Sequence, residues 1–136
     1  MSEPSPDEVA EARRWLGEAE DKLVVVEVLL ADERSPVRAA CFHAHLAAEK
    51  ALKALIIFRA VALPKSHDLA RLLQLLQLLP AADAAQLVRG DLVRLSPWTI
   101  EGRYPADLTE PSDDEVRSLA AAAKQVVGTA RSLVAP

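Results

Sequence analysis

The sequence predicts an all-α protein, a five-helix up-and-down bundle that forms one domain over residues 1–136. Ala and Leu supply about a third of the chain, and aromatic residues supply only 4%. Ala and Leu are strong helix formers, and no segment has the alternating pattern of a strand. Signals for helix starts and stops divide the chain into five segments with short connections, which favours antiparallel neighbours.

The first helix has the clearest start signal. Ser5-Pro6-Asp7-Glu8 combines an N-cap serine, a proline at the first helical position and a capping-box glutamate. The predicted helix runs over about 6–32, and its second half, LVVVEVLLA, is apolar on nearly every side. Such a surface either is deeply buried or meets a partner. We therefore expect a homodimer with two-fold symmetry.

Four further helices are predicted. Ser35-Pro36 begins the second helix, at about 36–61, and Ser66 caps a third helix that Pro80 ends. The last two helices are predicted at about 82–95 and, after the capping box Ser112-Asp-Asp-Glu115, at about 113–134. The segment 98–111 between them holds several helix breakers and is predicted to be a loop.

Charge and cysteine content exclude several classes of function. The net charge is −4, so any nucleic-acid contact must be local and not the product of a global basic field. The single cysteine, Cys41, excludes a disulfide framework and a Cys-rich zinc site, and it is predicted to lie in the core. No segment suits a signal peptide or a membrane span, so the expected location is cytoplasmic, without membrane contact.

Helix 2 carries a polar stripe. At about 100° per residue, four polar side chains fall within about 60° of one another: Arg38, His45, Glu49 and Lys53. His45–Glu49 and Glu49–Lys53 are i,i+4 pairs whose side chains can touch. Two interpretations stay open, a solvated face with ordinary ion pairs or a groove that binds an anion or a partner. His43 and His45 point apart, so we expect no metal site.

Two further places hold candidate residues. His67 at the start of helix 3 either packs as a structural histidine or lines the same groove as the stripe of helix 2. Arg103-Tyr104 lies in the long loop, where Arg103 either anchors the loop or binds a phosphate. In an up-and-down bundle, helix 3 begins and helix 4 ends at the same end. His67 and Arg103 are therefore expected to be neighbours.

Four segments in order resemble the HEPN family of small helical domains. CFHAHLAAEKALKALI at 41–56 carries the resemblance most clearly, and the segment 12–30 resembles the first helix of the family. Ser66-His67-Asp68-Leu69 matches the family's start of helix 3, and Gly102-Arg103-Tyr104-Pro105 matches its "RYP" element. The resemblance covers nearly the whole chain.

The resemblance implies a five-helix bundle, usually homodimeric, with a nucleotide- or RNA-related role. It also implies a minimal nucleotidyltransferase as partner, in toxin–antitoxin-type pairs. No cofactor is expected, and a nucleotide is the candidate ligand. With His45 added from the stripe pattern, the candidate nucleotide- or anion-binding residues are His45, Glu49, Lys50, Lys53, His67, Arg103 and Tyr104.

Some branches of the family are metal-independent endoribonucleases whose motif is Arg, four to six residues, then His, near the last long helix. No His follows Arg103 in this chain, and the motif occurs only at Arg38, too early in the family layout. Catalytic residues therefore stay unassigned, and the first hypothesis is a non-catalytic module that binds a nucleotide, RNA phosphate or the nucleotidyltransferase. The alternatives are an endoribonuclease toxin with a rearranged site and a non-catalytic oligomerisation adaptor.

Overall fold

The computed structural model describes residues 3–77, 89–98 and 110–134. Within these ranges the chain forms five helices and no strand, which confirms the predicted all-α bundle. The helices are α1 (Pro6–Ala31), α2 (Val37–Phe58), α3 (Leu69–Gln77), α4 (Arg89–Leu95) and α5 (Asp113–Val134). Residues 82–88 of the predicted fourth helix lie outside the described ranges, and α4 ends where the sequence predicted.

The capping signals identified the starts of the long helices. Ser5 Oγ accepts a hydrogen bond from Glu8 N at 3.1 Å, and Ser5 N donates to Glu8 Oε1 at 2.9 Å, which completes the capping box. At α5, Ser112 Oγ accepts from Glu115 N at 3.2 Å. At α2 the N-cap is Pro36, which offers no side-chain cap, so Ser35 lies one residue before the cap.

The start of α3 differs from the prediction that Ser66 is its cap. Asp68 Oδ1 accepts from Ala70 N at 3.0 Å, so Asp68 is the N-cap. Ser66 Oγ instead accepts from Asp68 N at 3.1 Å and closes a tight turn before the helix. Aspartate caps helices as well as serine does, and the sequence pattern could not separate the two. His67 consequently lies in the turn before α3.

The end of α2 also differs, because the helix stops at Phe58 and not near 61. Ala60 takes a left-handed conformation with φ of 57°. Its amide donates to Ile57 O at 2.9 Å, and Val61 N donates to Ile56 O at 3.2 Å, which together form a Schellman cap. Glycine is the usual residue at this position, so an alanine there gave no sign of the helix end.

Helix α2 is the centre of the bundle and contacts the other four helices. Leu29 near the end of α1 lies beside Val37 at the start of α2, and Trp15 on the first half of α1 lies beside Lys53 near the end of α2, so α1 and α2 are antiparallel. Asp113 at the start of α5 lies at the same end of the bundle as Val37, and Arg131 near the end of α5 contacts Glu20 in the middle of α1, so α5 runs antiparallel to α1 and parallel to α2. Close approach is possible because α2 buries six alanines: Ala40, Ala44, Ala47, Ala48, Ala51 and Ala54.

The outer face of α1 leaves two large apolar side chains in solvent. Val24 is 56% exposed and Val28 is 64% exposed, and their four-residue spacing places them on one strip of the helix. Of the described helices, none is long and apolar enough to cross a membrane.

Candidate functional site

Three of the four polar side chains in the stripe of α2 are buried. His45 is 0% exposed, Glu49 is 4% exposed and Lys53 is 6% exposed. The interpretation of the stripe as a solvated face is therefore wrong for these three residues. The reason is tertiary: the end of α4 meets His45, and the turn before α3 meets Glu49. The helical pattern of α2 alone could not show that these two elements cover it.

Glu49 is the centre of this polar cluster. Its Oε2 lies 3.1 Å from Lys53 Nζ, and both of its carboxylate oxygens lie 3.0 Å from His67 Nδ1. His45 Nε2 is 3.4 Å from Oε1. Burial alone would raise the pKa of Glu49, but the contacts with His45, His67 and Lys53 outweigh it and hold the pKa at about 2. Glu49 is therefore a carboxylate at all physiological pH values.

His45 joins the cluster to the end of α4. Its Nδ1 lies 2.9 Å from the carbonyl oxygen of Leu95, and a carbonyl can only accept, so Nδ1 carries the proton. Its Nε2 is buried without a hydrogen bond and faces the Glu49 carboxylate. The contact with Leu95 could not be predicted, because a backbone carbonyl has no signature in the sequence.

His67 is the member of the cluster that reaches the surface. Its side chain is 51% exposed, whereas the side chain of its partner Glu49 is only 5% exposed. The sequence predicted that His67 lies near the Lys53 end of helix 2, and its contact with Glu49 confirms that position. The carboxylate fixes the Nδ1 edge of the imidazole, and Nε2, at the other edge of the ring, is directed away from Glu49.

The aromatic ring of Trp15 lies beside the lysines of α2. Lys50 Nζ is 5.1 Å from the ring centroid and Lys53 Nζ is 5.6 Å from it, within the range of cation–π attraction. Lys50 also contacts Glu18 Oε2 at 3.0 Å. The sequence placed Trp15 only in the apolar repeat of helix 1. Its role as a platform for two ammonium groups was missed.

The remaining candidates are separate from the cluster. Arg103 and Tyr104 lie outside the described residues, so the expected proximity of Arg103 to His67 stays a prediction. Cys41 is fully buried as predicted, and burial raises the pKa of its thiol to about 11. His43 is on a different strip of α2. Across the described ranges, no three His, Cys, Asp or Glu side chains are arranged to hold a metal ion.

The comparisons with known proteins are consistent with this fold. A family model, the HEPN domain, matches residues 12–133, which is nearly the whole chain. No curated protein and no solved structure matches the chain. The family match supports a general nucleotide- or RNA-related role. The chain belongs to the HEPN domain family.

Proposed function

We propose that this chain is a non-catalytic HEPN module that binds the phosphate groups of a nucleotide or an RNA beside His67. The observation that carries the proposal is the anchoring of a half-exposed imidazole, 51% exposed at its side chain, on a buried carboxylate. The carboxylate holds the Nδ1 edge of the ring, and the exposed part of the imidazole lies where a phosphate group can approach it. A charge-assisted hydrogen bond of this kind is among the stronger polar contacts in proteins.

The surroundings of His67 support a local site for an anion on a chain whose net charge is −4. Lys50 and Lys53 bring two ammonium groups to the same side of α2, near the ring of Trp15. Lys53 neutralises Glu49, so the carboxylate that positions His67 does not repel a phosphate with its full charge. Lys53 is buried, which makes it a supporting residue, whereas Lys50 is 21% exposed at its side chain.

Binding of AMP and of a short single-stranded RNA, measured by calorimetry, tests the proposal. Losing a charge-assisted contact costs about 1.5–3 kcal/mol, so His67→Gln should weaken binding by roughly 10- to 150-fold. His43→Gln is the matched control, because it removes a histidine of the same helix bundle that does not contact Glu49. Binding should also weaken as salt rises. Equal affinities of the wild type and His67→Gln would remove His67 from the site.

The proposed partner is a minimal nucleotidyltransferase, in a toxin–antitoxin-type pair, with this chain as a homodimer. The partner rests on the family resemblance alone, and the homodimer is supported by the exposed Val24 and Val28 on α1. Co-expression with a minimal nucleotidyltransferase should yield a complex that survives gel filtration. Separate elution of the two proteins at micromolar concentration would contradict the pairing.

One observation favours a second candidate function, a metal-independent endoribonuclease. A carboxylate that holds the Nδ1 edge of an exposed imidazole is the arrangement that general acid–base catalysis uses. Incubation of the purified protein with single-stranded RNA in EDTA distinguishes the two candidates. We expect no cleavage. Cleavage that His67→Gln abolishes would establish the enzyme and overturn the non-catalytic assignment.

The binding experiment also distinguishes a third candidate function, an oligomerisation adaptor without a ligand. It predicts normal assembly of the protein but no binding of AMP or RNA by the wild type.

A further inference from the structure

A cavity of about 330 Å³ opens where α1 ends and where α2 and α5 begin. All three helices contribute to its apolar lining, which consists of Leu29, Leu30, Val37, Ala40 and Val116. Ala40 and Val116 are buried and form the floor. The start of α2 lies about 18 Å along the helix axis from Glu49, so the cavity is separate from the cluster around that residue. Pockets for small ligands measure about 300–1,000 Å³, so this one has room for a long side chain.

Carboxylates dominate the rim of the cavity. Asp32, Glu33 and Asp113 line it, against one basic side chain, Arg117. Asp32 already has a cation, since its Oδ2 lies 3.1 Å from Arg34 Nη2. Among the residues that the structure describes, neither Glu33 nor Asp113 has a basic partner. Both are exposed, so their charges can act on a group that enters the cavity.

The acidity extends beyond the cavity to the whole end of the bundle. The segments 27–38 and 110–117 supply this end, and they hold seven acidic and three basic side chains. Their balance of −4 equals the net charge of the entire chain. The chain is therefore polarised, with its excess negative charge at the end where α2 begins.

The helix dipoles do not offset this charge. A helix C-terminus carries about half a negative charge, and the last turn of α1 holds no basic residue to balance it. Asp113, Asp114 and Glu115 place three carboxylates at the start of α5, where the helix N-terminus supplies only about half a positive charge. The N-terminus of α2 adds as much again. The potential at this end is therefore negative and favours a cationic group.

An apolar floor below an acidic rim fits the side chain of lysine or arginine. The methylene stem of such a side chain packs on apolar surface, while its charged head stays at the wet edge. Asp114 and Glu115 extend the negative surface beyond the rim, where one cation cannot reach them. The area therefore suits a chain that carries several basic side chains. A phosphate or a nucleic acid would be repelled from it.

We propose that this acidic end of the bundle docks a basic segment of a partner protein. One lysine or arginine side chain of the segment fills the cavity, with its head at Glu33 and Asp113. Its neighbouring basic side chains contact Asp114 and Glu115. The proposal goes beyond the proposed function and does not depend on it, because it uses neither His67 nor the cluster around Glu49.

Panning of a random heptapeptide library displayed on phage tests the proposal, and fluorescence anisotropy measures the affinity of the enriched peptides. The test variant is Glu33→Gln with Asp113→Asn, which keeps the size of both side chains. Asp21→Asn is the matched control, because Asp21 is exposed on α1 but does not line the cavity. Thermal unfolding verifies that each variant is folded, and light scattering gives its mass.

We expect the enriched peptides to carry lysine or arginine beside apolar residues. Exposed ion pairs are individually weak, so the double variant should lower the affinity by roughly 3- to 30-fold, and Asp21→Asn by less than about twofold. Arg117→Gln should raise the affinity, because it removes the basic side chain from the rim. A merely structural role of the rim would not produce this gain. Binding should also weaken as salt rises.

Other outcomes overturn the proposal. They are enrichment of no peptide, enrichment of peptides without basic side chains, and equal affinities of the wild type and the double variant. Spermidine that binds as tightly as the peptides and displaces them would identify a polyamine as the occupant. A change of mass in the double variant would assign this end to an interface between two copies.

The docking surface and the phosphate site at His67 fail separately. AMP should bind the wild type and the double variant equally, whichever way the peptide experiment ends. Peptide binding that His67→Gln weakens and the double variant leaves intact would move the peptide to the cluster around Glu49 and overturn the docking surface.

Discussion

His67 Nδ1 lies 3.0 Å from both carboxylate oxygens of Glu49, although 18 positions separate the two residues. The contact joins the turn before α3 to the middle of α2. It is made possible by Asp68, which caps α3 and leaves His67 outside the helix. Glu49 therefore has two functions in the fold: it balances the buried Lys53, and it fixes the orientation of an exposed imidazole.

Glu49→Gln should destabilise the protein strongly. The substitution keeps the size of the side chain but leaves the ammonium group of Lys53 buried without its counter-charge. Breaking a buried ion pair from one side costs about 3–5 kcal/mol. Urea unfolding measures the loss, with Glu18→Gln as the control, because Glu18 pairs with Lys50 at the surface and should cost less than about 1 kcal/mol. Similar losses for both variants would contradict the central role of Glu49.

The stability of the fold should depend on pH through Glu49. Its pKa is about 2 in the folded chain against an ordinary value of 4.5, so the folded state favours the carboxylate. The resulting stabilisation, about 3 kcal/mol, is fully present above pH 4.5 and is lost as the pH falls towards 2. Urea unfolding at about pH 6 and about pH 2.5 should show that the wild type loses most of this stabilisation. Other carboxylates also titrate in this range, so the wild type is compared with Glu49→Gln at the same two pH values. Between them the unfolding free energy of Glu49→Gln should fall less than that of the wild type, by about the stabilisation that Glu49 contributes.

The sequence predicted the long helices and the spacing of the polar stripe, because capping and helical periodicity are local properties. The starts of α1 and α5 follow from hydrogen bonds between residues three apart, Ser5–Glu8 and Ser112–Glu115. The pairing of Glu49 with Lys53 likewise lies within one turn of α2. The position of His67 beside helix 2 followed from the order of the helices.

The burial of the stripe and the anchor of His45 were not predictable in the same way. Both depend on how α4 packs on α2, and the partner of His45 is a main-chain carbonyl at Leu95. The end of α2 at Phe58 was missed because Ala60 adopts a conformation that alanine seldom takes. The sequence showed which side chains share a face of α2 but not which elements cover that face.

Ala60→Gly should stabilise the protein. Ala60 has a φ of 57°, in the left-handed region, where a side chain costs about 1–2 kcal/mol relative to glycine. Part of that gain is offset by the greater freedom of glycine in the unfolded chain, so we expect a net gain of about 1 kcal/mol in urea unfolding. Ala62→Gly is the matched control two residues away and should be neutral or destabilising. A loss of stability in Ala60→Gly would show that the cap tolerates alanine without strain.

Cys41 should be unreactive in the native protein. The thiol is fully buried, and burial raises its pKa to about 11, so the thiolate is scarce at neutral pH. Because only the thiolate attacks a disulfide reagent, we expect the native reaction at pH 8 to be at least about 100-fold slower than the reaction in urea. Rapid labelling of the folded protein would show that α2 opens around Cys41 on the time scale of the reaction.

Charged substitutions on α1 should dissociate the proposed homodimer. Val24 is 56% exposed and Val28 is 64% exposed, and together they form an apolar strip on α1. Burial of these side chains against a second copy of the chain is favourable. Light scattering of the wild type at micromolar concentration should give twice the 14.7 kDa mass of one chain. Val24→Lys with Val28→Lys should give the mass of one chain, because each lysine would place a charge in the interface.

Val93→Lys is the control for the dimer, since Val93 is 53% exposed but lies on α4. Its mass should stay that of the wild type. This result would show that dissociation depends on where the lysine is introduced and not on the valine-to-lysine change itself. A wild type of 14.7 kDa would reject the dimer altogether. A wild-type dimer that the α1 variants leave intact would place the interface elsewhere, and dissociation by Val93→Lys alone would assign it to the surface of α4.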